Sequence, residues 1–472
     1  MTTYSNSKKR ASGLRADCLS FPETFAQSIG NIAPVVMPSM NVALVFASAG
    51  NGTWLTFLIA TVGLALVSLN INYFARRLTF PGTLYAAIAK SLGVTAGIVS
   101  GWGLVAAYLL TAMTVMSGFV IYANVVLREF GFQAPSILLY AICAGLILFY
   151  AYADVQLSTV LMLLLELTSI GLISILALIV WAGHGFAIDT PQLLLKDVSP
   201  EGLRLGLVLA VFSYVGFESA TTLAEETKRP FRSIPRAVLW STVLSGIFYI
   251  IASYIEVLGF RGYETPLNKS DAPLSVLANL AGVELLGLAI AVGVVFSFFT
   301  CALASITAGA RILYAMGRQQ ILHRSLGAAH PQNQTPHVAV IVSVLLLFLV
   351  PVSLSLIGIS ILDIYGYLGT LATYGFLLVY VLISIAAPLE LYRQQRLRFR
   401  DLAIAVPAVL FMMTPVVASF YPIPPYPYNV LPYGFLVYLA IGAWLSFRLQ
   451  RRSPQTIQNM EHDFEVGRSS VN

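Results

Sequence analysis

Phe212-Ser-Tyr-Val-Gly-Phe-Glu-Ser-Ala220 closes an apolar run, Leu205 to Phe217, flanked by Arg204 and Glu218. A helix needs about 20 apolar residues to cross the roughly 30 Å hydrocarbon core of a bilayer. This charge-free run has thirteen. The span must stop short or carry Glu218 into the membrane, where an ionised carboxylate costs roughly 2.5–3.5 kcal/mol and usually has a task. Ser213 and Gly216 are small enough to let the backbone leave helical geometry nearby. Backbone groups freed by a broken membrane helix are tolerated only where they line a protein-enclosed cavity, and short or interrupted spans mark the binding sites of transporters. The plainer alternative is a Glu that snorkels from the end of a tilted helix.

Composition sets the class. The chain is 58% hydrophobic and 10% charged over 472 residues, whereas about a quarter of the residues in a soluble protein are charged. It reads as an all-α, multi-pass membrane protein whose solvent partner is the lipid bilayer. Cys143 and Cys301 sit in apolar spans and Cys18 in the N-terminal segment, so no disulfide framework is implied. The first twenty residues lack the apolar run and cleavage site of a signal peptide; with the polar stretch from Ser453 they read as mobile tails.

Between Thr24 and Ala75 there is no charged side chain, a run too long for one crossing, and Gly50-Asn51-Gly52 supplies a turn that splits it. The first span is itself interrupted, because Pro34 and Pro38 each remove an amide donor and clash with the preceding turn. A short stretch up to Gly93 is expected to lie along the membrane surface. Further apolar segments bring the expected total to twelve spans, with both termini on one side. Of the 27 Lys and Arg, Arg128, Lys196, Arg204, Arg261 and Lys269 fall on the other side and the remaining 22 on the terminal side. The positive-inside rule makes that side cytoplasmic, in what is expected to be the plasma (cell inner) membrane. The basic excess therefore calls for no nucleic-acid partner. Breaks in spans one and six are five helices apart, and an odd offset inverts the second five-helix unit relative to the first, the inverted-repeat logic of secondary transporters. The expected division is a tail over 1–20, a ten-helix core over 21–390, two peripheral helices over 391–452 and a tail over 453–472.

Several motifs carry a family resemblance. Gly216-Phe-Glu-Ser-Ala220, Glu225-Glu226-Thr-Lys-Arg-Pro230 and Ser233-Ile-Pro-Arg-Ala237 resemble the sixth-helix signature of the amino acid–polyamine–organocation (APC) superfamily. Ala302-Leu-Ala-Ser-Ile-Thr-Ala-Gly-Ala-Arg311 with Met316-Gly-Arg318, and Tyr367-Leu-Gly-Thr370 with Ala386-Ala-Pro388, resemble its eighth and tenth helices. The resemblance covers roughly residues 20 to 450. It implies a LeuT-type 5+5 core with helices one and six broken, and transport of amino acids or related amines by alternating access without ATP or a cofactor. It implies that substrate lies between the breaks, at Asn31, Ile32, Ala33, Pro34, Val35 and Val36 and at Ser213, Tyr214 and Val215, with Phe212 as an aromatic gate and Glu218 just beyond. Two positions depart from the pattern. The usual first break is glycine-rich and offers amides to a substrate carboxylate, whereas Pro34 has none to give. Gln319 stands where an Asp often follows the Arg.

Other residues fill out the expected site. Glu166, roughly 14 Å along the fifth helix, is expected near mid-membrane, as a proton site or a partner for the first-helix break, or else as a neutral, hydrogen-bonded carboxyl that fixes packing. Glu225, Glu226, Arg76, Arg77 and Arg311 are expected at one depth, as a cytoplasmic gate of ion pairs or as ordinary interfacial charge worth roughly 0–1 kcal/mol per exposed pair. Tyr108 in the third span is a candidate pocket residue, though membrane aromatics mostly pack. The five histidines show no metal-ligand spacing, and no Gly-rich loop suggests a nucleotide site. The leading reading is a non-enzymatic permease, coupled to protons or working by exchange. A transporter-like amine sensor and a channel are the alternatives.

Overall fold

The computed structural model describes residues 13–452 apart from 271. The expected C-terminal tail and the first twelve residues lie outside it. Among the described residues the chain is helical, with one isolated β-bridge between Leu19 and Thr227 and no strand. Among the described residues, ten helical stretches are long and apolar enough to cross a membrane.

Helix α1 (Phe21–Ile32) starts at a capping box in which the Ser20 backbone N–H donates to Glu23 at 2.5 Å, with Pro22 in the first turn. It stops at Ile32 because the residue before a proline is pushed out of the α region; Ala33 sits left-handed at φ 49°. Helical geometry resumes at once, as a π-helical turn Met37–Asn41 that leads into α2 (Val42–Ala49). Pro38 therefore does not extend the break. It stands in the first turn of the resumed helix, where its missing N–H is not needed. A 3-10 turn at Gly50–Gly52 separates α2 from α3 (Thr53–Ala75). Helix α4 (Thr83–Leu92) is nearly all buried within the protein, because it packs against α5 (Val94–Glu129) and the later helix Ile361–Arg393. Helix α5 is central, with 89% of its most apolar window buried.

Helices α6 (Ser136–Ala153) and α7 (Val155–Gly183) precede α8 (Pro200–Phe212), which ends at the second break. Turns fill residues 213–218, Gly216 adopts φ 91°, and a 3-10 segment Ser219–Leu223 follows. Then come α9 (Pro230–Gly259), the short α10 (Pro273–Leu280), α11 (Glu284–Arg318), α12 (His337–Leu356), α13 (Ile361–Arg393), α14 (Phe399–Ala418) and α15 (Leu431–Arg452). Large apolar side chains such as Leu164, Leu345, Leu410 and Val437 are exposed on the outer helices, as lipid-facing surfaces require.

The N-terminal segment departs from the expected mobile tail. Residues 13–20 are anchored to the bundle: Leu14, Cys18 and Leu19 are buried, Arg15 pairs with Asp154, and Leu19 exchanges backbone hydrogen bonds with Glu226 and Lys228 at 2.9 and 2.7 Å. The segment after the second break leaves backbone groups unpaired by any helix, and Leu19 satisfies them.

Candidate functional site

The two breaks meet. Asn31, in the last turn of α1, lies so close to Gly216 that a Cβ there would stand 1.6 Å from Asn31 Nδ2. The Asn31 side-chain oxygen accepts from Ser305 Oγ at 2.6 Å, and its backbone oxygen takes the Cys301 thiol at 3.1 Å. The two α1 residues just before the Asn31 turn also bind the second break: Ser219 Oγ donates to Gln27 O at 3.0 Å and the Ala220 amide to Ser28 Oγ at 3.2 Å. Ile32, Ala33, Val35 and Val36 are buried around Pro34, and the Val36 amide closes a turn onto Ala33 O at 3.0 Å.

On the second break, Ser213 O accepts from the Tyr249 hydroxyl at 2.8 Å and Ser213 Oγ from Asn41 Nδ2 at 2.9 Å. Tyr214 turns its side chain toward α3, where its hydroxyl meets Thr61 Oγ1 at 2.7 Å; only its backbone faces the break's own turn. Val215 is buried. Phe212 is half-buried, its ring against Gly369 of α13 and Thr114 of α5: a Cβ on Gly369 would stand 3.0 Å from the ring and 3.2 Å from the Thr114 methyl.

Glu218 is fully buried and held by two phenols. Tyr108 of α5 donates to Oε1 at 2.6 Å and Tyr380 of α13 to Oε2 at 2.5 Å, while the Gly216 amide donates to the Tyr380 oxygen at 3.2 Å. Hydrogen bonds to a charged acceptor contribute about 1.5–3 kcal/mol each, so this pair offsets much of the cost of sealing a carboxylate from water. Tyr380 is absent from the sequence-based set; one tyrosine among many in apolar spans carries no signal of its own.

Glu166 is also fully buried. Its Oε1 accepts from Ser297 and Thr300 of α11 at 2.7 and 2.5 Å, and its Oε2 has no partner among the described residues. It lies one helical turn beyond Met162, which packs on Gly30 of α1. A third buried acid, Glu256 of α9, was not singled out in the sequence; neither of its oxygens has a partner among the described residues.

Below the second break, Glu226 and Arg311 form a bidentate ion pair at 2.6 and 2.7 Å, with their side chains 1% and 3% exposed. Arg311 also donates to Thr307 O at 2.9 Å. Glu225 faces Arg318 at 3.7 Å. Arg76 and Arg77 are not brought to these acids. Both are exposed, and Arg77 instead lies over the Tyr73 ring at 3.9 Å.

A family profile described as "Amino acid permease" matches residues 24–423. The chain is 25% identical over 364 residues to a branched-chain amino acid permease, BcaP, of Bacillus subtilis (strain 168), covering 72% of the chain and 73% of that relative. It is 24% identical over 426 residues to a methylthioribose transporter of the same organism, covering 86% and 87%. It is 26% identical over 301 residues to the low-affinity putrescine importer PlaP of Escherichia coli (strain K12), covering 60% and 63%.

Proposed function

Because the chain belongs to the amino acid permease family, we propose that it carries an amino acid or a related small amine across the membrane by alternating access, with the substrate held between the two helix breaks. The family is one of transporters, not enzymes. The observation that carries the reading is the direct contact of the breaks at Asn31 and Gly216, bracketed by Glu218 and Glu166. The three relatives are named for a branched-chain amino acid, a thio-sugar and a diamine, so side chains around a shared scaffold select the substrate.

The finer architecture belongs to the same proposal. Phe21–Ala75 spans 55 residues, about 80 Å as a helix, and the turn at Gly50–Gly52 makes it two crossings. Helix α8 with its broken continuation adds another, giving twelve, with breaks in the first and sixth and a five-helix offset that inverts the second repeat. The division into a core over 21–390 and peripheral helices beyond it, cytoplasmic termini and a plasma-membrane location rest on that frame and on the positive-inside count.

Proton coupling is assigned to Glu218. A carboxyl sealed from water costs free energy while charged unless hydrogen bonds compensate, and opening the break to one side removes that cost. Proton exchange and substrate passage then bias each other through one coupling free energy. Glu218→Gln keeps the shape, removes the charge and leaves one tyrosine facing an amide instead of an acceptor. Substrate exchange should stay within about three-fold of wild type while proton-driven accumulation disappears. Uptake into proteoliposomes with and without an imposed proton gradient reads this out; normal accumulation with an unchanged pH profile would shift the role to Glu166.

Phe212 serves as the gate. Removing its ring in Phe212→Ala should lower turnover about ten-fold and leave apparent affinity nearly unchanged, since occlusion matters to the conformational step more than to binding. Initial-rate uptake over a range of substrate concentrations tests it; a wild-type rate with a wild-type affinity removes Phe212 from the gate.

A further inference from the structure

The ion pairs of the second break leave unexplained a basic pocket at the same end of the bundle. Tyr85 of α4 donates to Gln319, just past α11, at 2.9 Å, and Lys90 of α4 pairs with Glu390 of α13 at 3.0 Å, so the ends of α11 and α13 lie together. Beside them, Tyr73 and Arg77 from the end of α3, Arg396 and Arg398 from the link after α13, and Arg400 and Asp401 from the start of α14 line a pocket of about 540 Å³. Four arginines face one aspartate. Asp401 is already engaged: it accepts the Arg398 backbone amide at 2.9 Å and lies 3.5 Å from Arg400 Nε. The pocket therefore holds an excess of guanidinium groups, which recognise phosphate oxygens in a bidentate fashion.

A second observation says what occupies it. From the mouth of the pocket, Phe399, Leu402, Val406, Leu410, Met413 and Val417 follow one another at helical spacings of three and four, and every one is exposed, Phe399 at 87% and Leu410 at 65%. This is a continuous apolar stripe down the outer face of α14, starting where the arginines end. A free anion has no use for it; a diacyl lipid does. We infer that this pocket binds the phosphodiester headgroup of an anionic phospholipid, with the acyl chains lying along the exposed stripe of α14. The lipid ties the ends of α3, α13 and α14 together on the basic side of the membrane, where basic pockets between helices hold anionic headgroups.

The test uses the full-length protein in nanodiscs of phosphatidylcholine mixed with phosphatidylglycerol, with the lipid retained after mild detergent extraction counted by native mass spectrometry. Wild type should retain phosphatidylglycerol over phosphatidylcholine by at least about five-fold. The triple variant Arg396→Gln, Arg398→Gln, Arg400→Gln should lose that preference, and a triple Arg→Lys variant should keep part of it. Raising the salt concentration should erode phosphatidylglycerol retention in wild type and leave phosphatidylcholine retention unchanged, which tests the site without any variant. Equal retention of the two lipids by wild type, or full preference in the Gln variant, overturns the inference. Inorganic phosphate added to pure phosphatidylcholine nanodiscs should give no thermal stabilisation; stabilisation equal to that by phosphatidylglycerol would assign the pocket to a free anion and overturn the lipid.

Discussion

Gly216→Ala is expected to reduce uptake by at least about ten-fold, which corresponds to roughly 1.4 kcal/mol or more on the rate-limiting barrier. Two costs coincide at this position. Its φ of 91° lies in the region that L side chains rarely adopt, and holding a non-glycine residue there costs on the order of 1–3 kcal/mol. The added methyl also lands on Asn31: the amide nitrogen would be 1.6 Å away, and even Asn31 Cβ only 3.2 Å. Asn31 cannot simply swing aside, because its oxygen is bonded to Ser305 at 2.6 Å. The variant must push the two breaks apart or give up that bond. Uptake per reconstituted transporter, with a thermal melt in detergent beside it, separates impaired transport from unfolding. Asn31→Ala in the same chain should restore the packing part of the loss and leave the backbone part. Wild-type uptake by Gly216→Ala would mean that the breaks do not need to touch.

The second large effect lies at the buried ion pair. Removing one partner of such a pair strands the other charge and costs about 3–5 kcal/mol, whereas replacing both with apolar groups of similar volume is often neutral. Glu226→Gln should therefore lower stability markedly and hold that end of the bundle open, since the pair joins α11 to the segment just after the second break. Glu226→Leu with Arg311→Met should recover most of the stability and none of the regulated closure. Arg311→Glu with Glu226→Arg should recover part of both. Thermal melts of the single and double variants form a cycle whose interaction energy is expected to be at least about 2 kcal/mol. Labelling of a cysteine introduced at that end reports closure. Strict additivity in the cycle would show that the two side chains act separately.

Much of this arrangement was legible in the chain because it depends on local rules. Pro34 stops α1 through its own ring and missing amide, which exclude the α region for Ala33 just before it; that Ala33 is left-handed rather than extended is visible only in the structure. The thirteen-residue run before Glu218 announces a span that cannot finish as one helix, and α8 does end at Phe212. Glu226 and Arg311 are expected at one depth from the order of the spans, and the two side chains pair. The same expectation of equal depth joins Arg76 and Arg77 to these acids, and neither arginine pairs with them. Depth is a one-dimensional coordinate, and the lateral position that separates these arginines from the acids is set by how the helices pack. A stretch lacking helical signals is likewise expected to move freely, yet Leu19 finds partners in a backbone bridge that no local pattern encodes.

The sequence by itself determined that the chain is a multi-span helical membrane protein and where two of its helices break, because hydrophobic length, proline and glycine act within a few residues; it pointed to the acids Glu218 and Glu166 and passed over Glu256. Only the tertiary structure decided what those acids and breaks meet. Glu218 is held by Tyr108 and Tyr380, 110 and 162 residues away, and Glu166 by Ser297 and Thr300, more than 130 residues on. Asn31 touches Gly216 across the whole first half of the core. Such pairs arise when helices chosen by their apolar faces pack together, and a buried polar group must then take whichever donor the neighbouring helix brings to its depth.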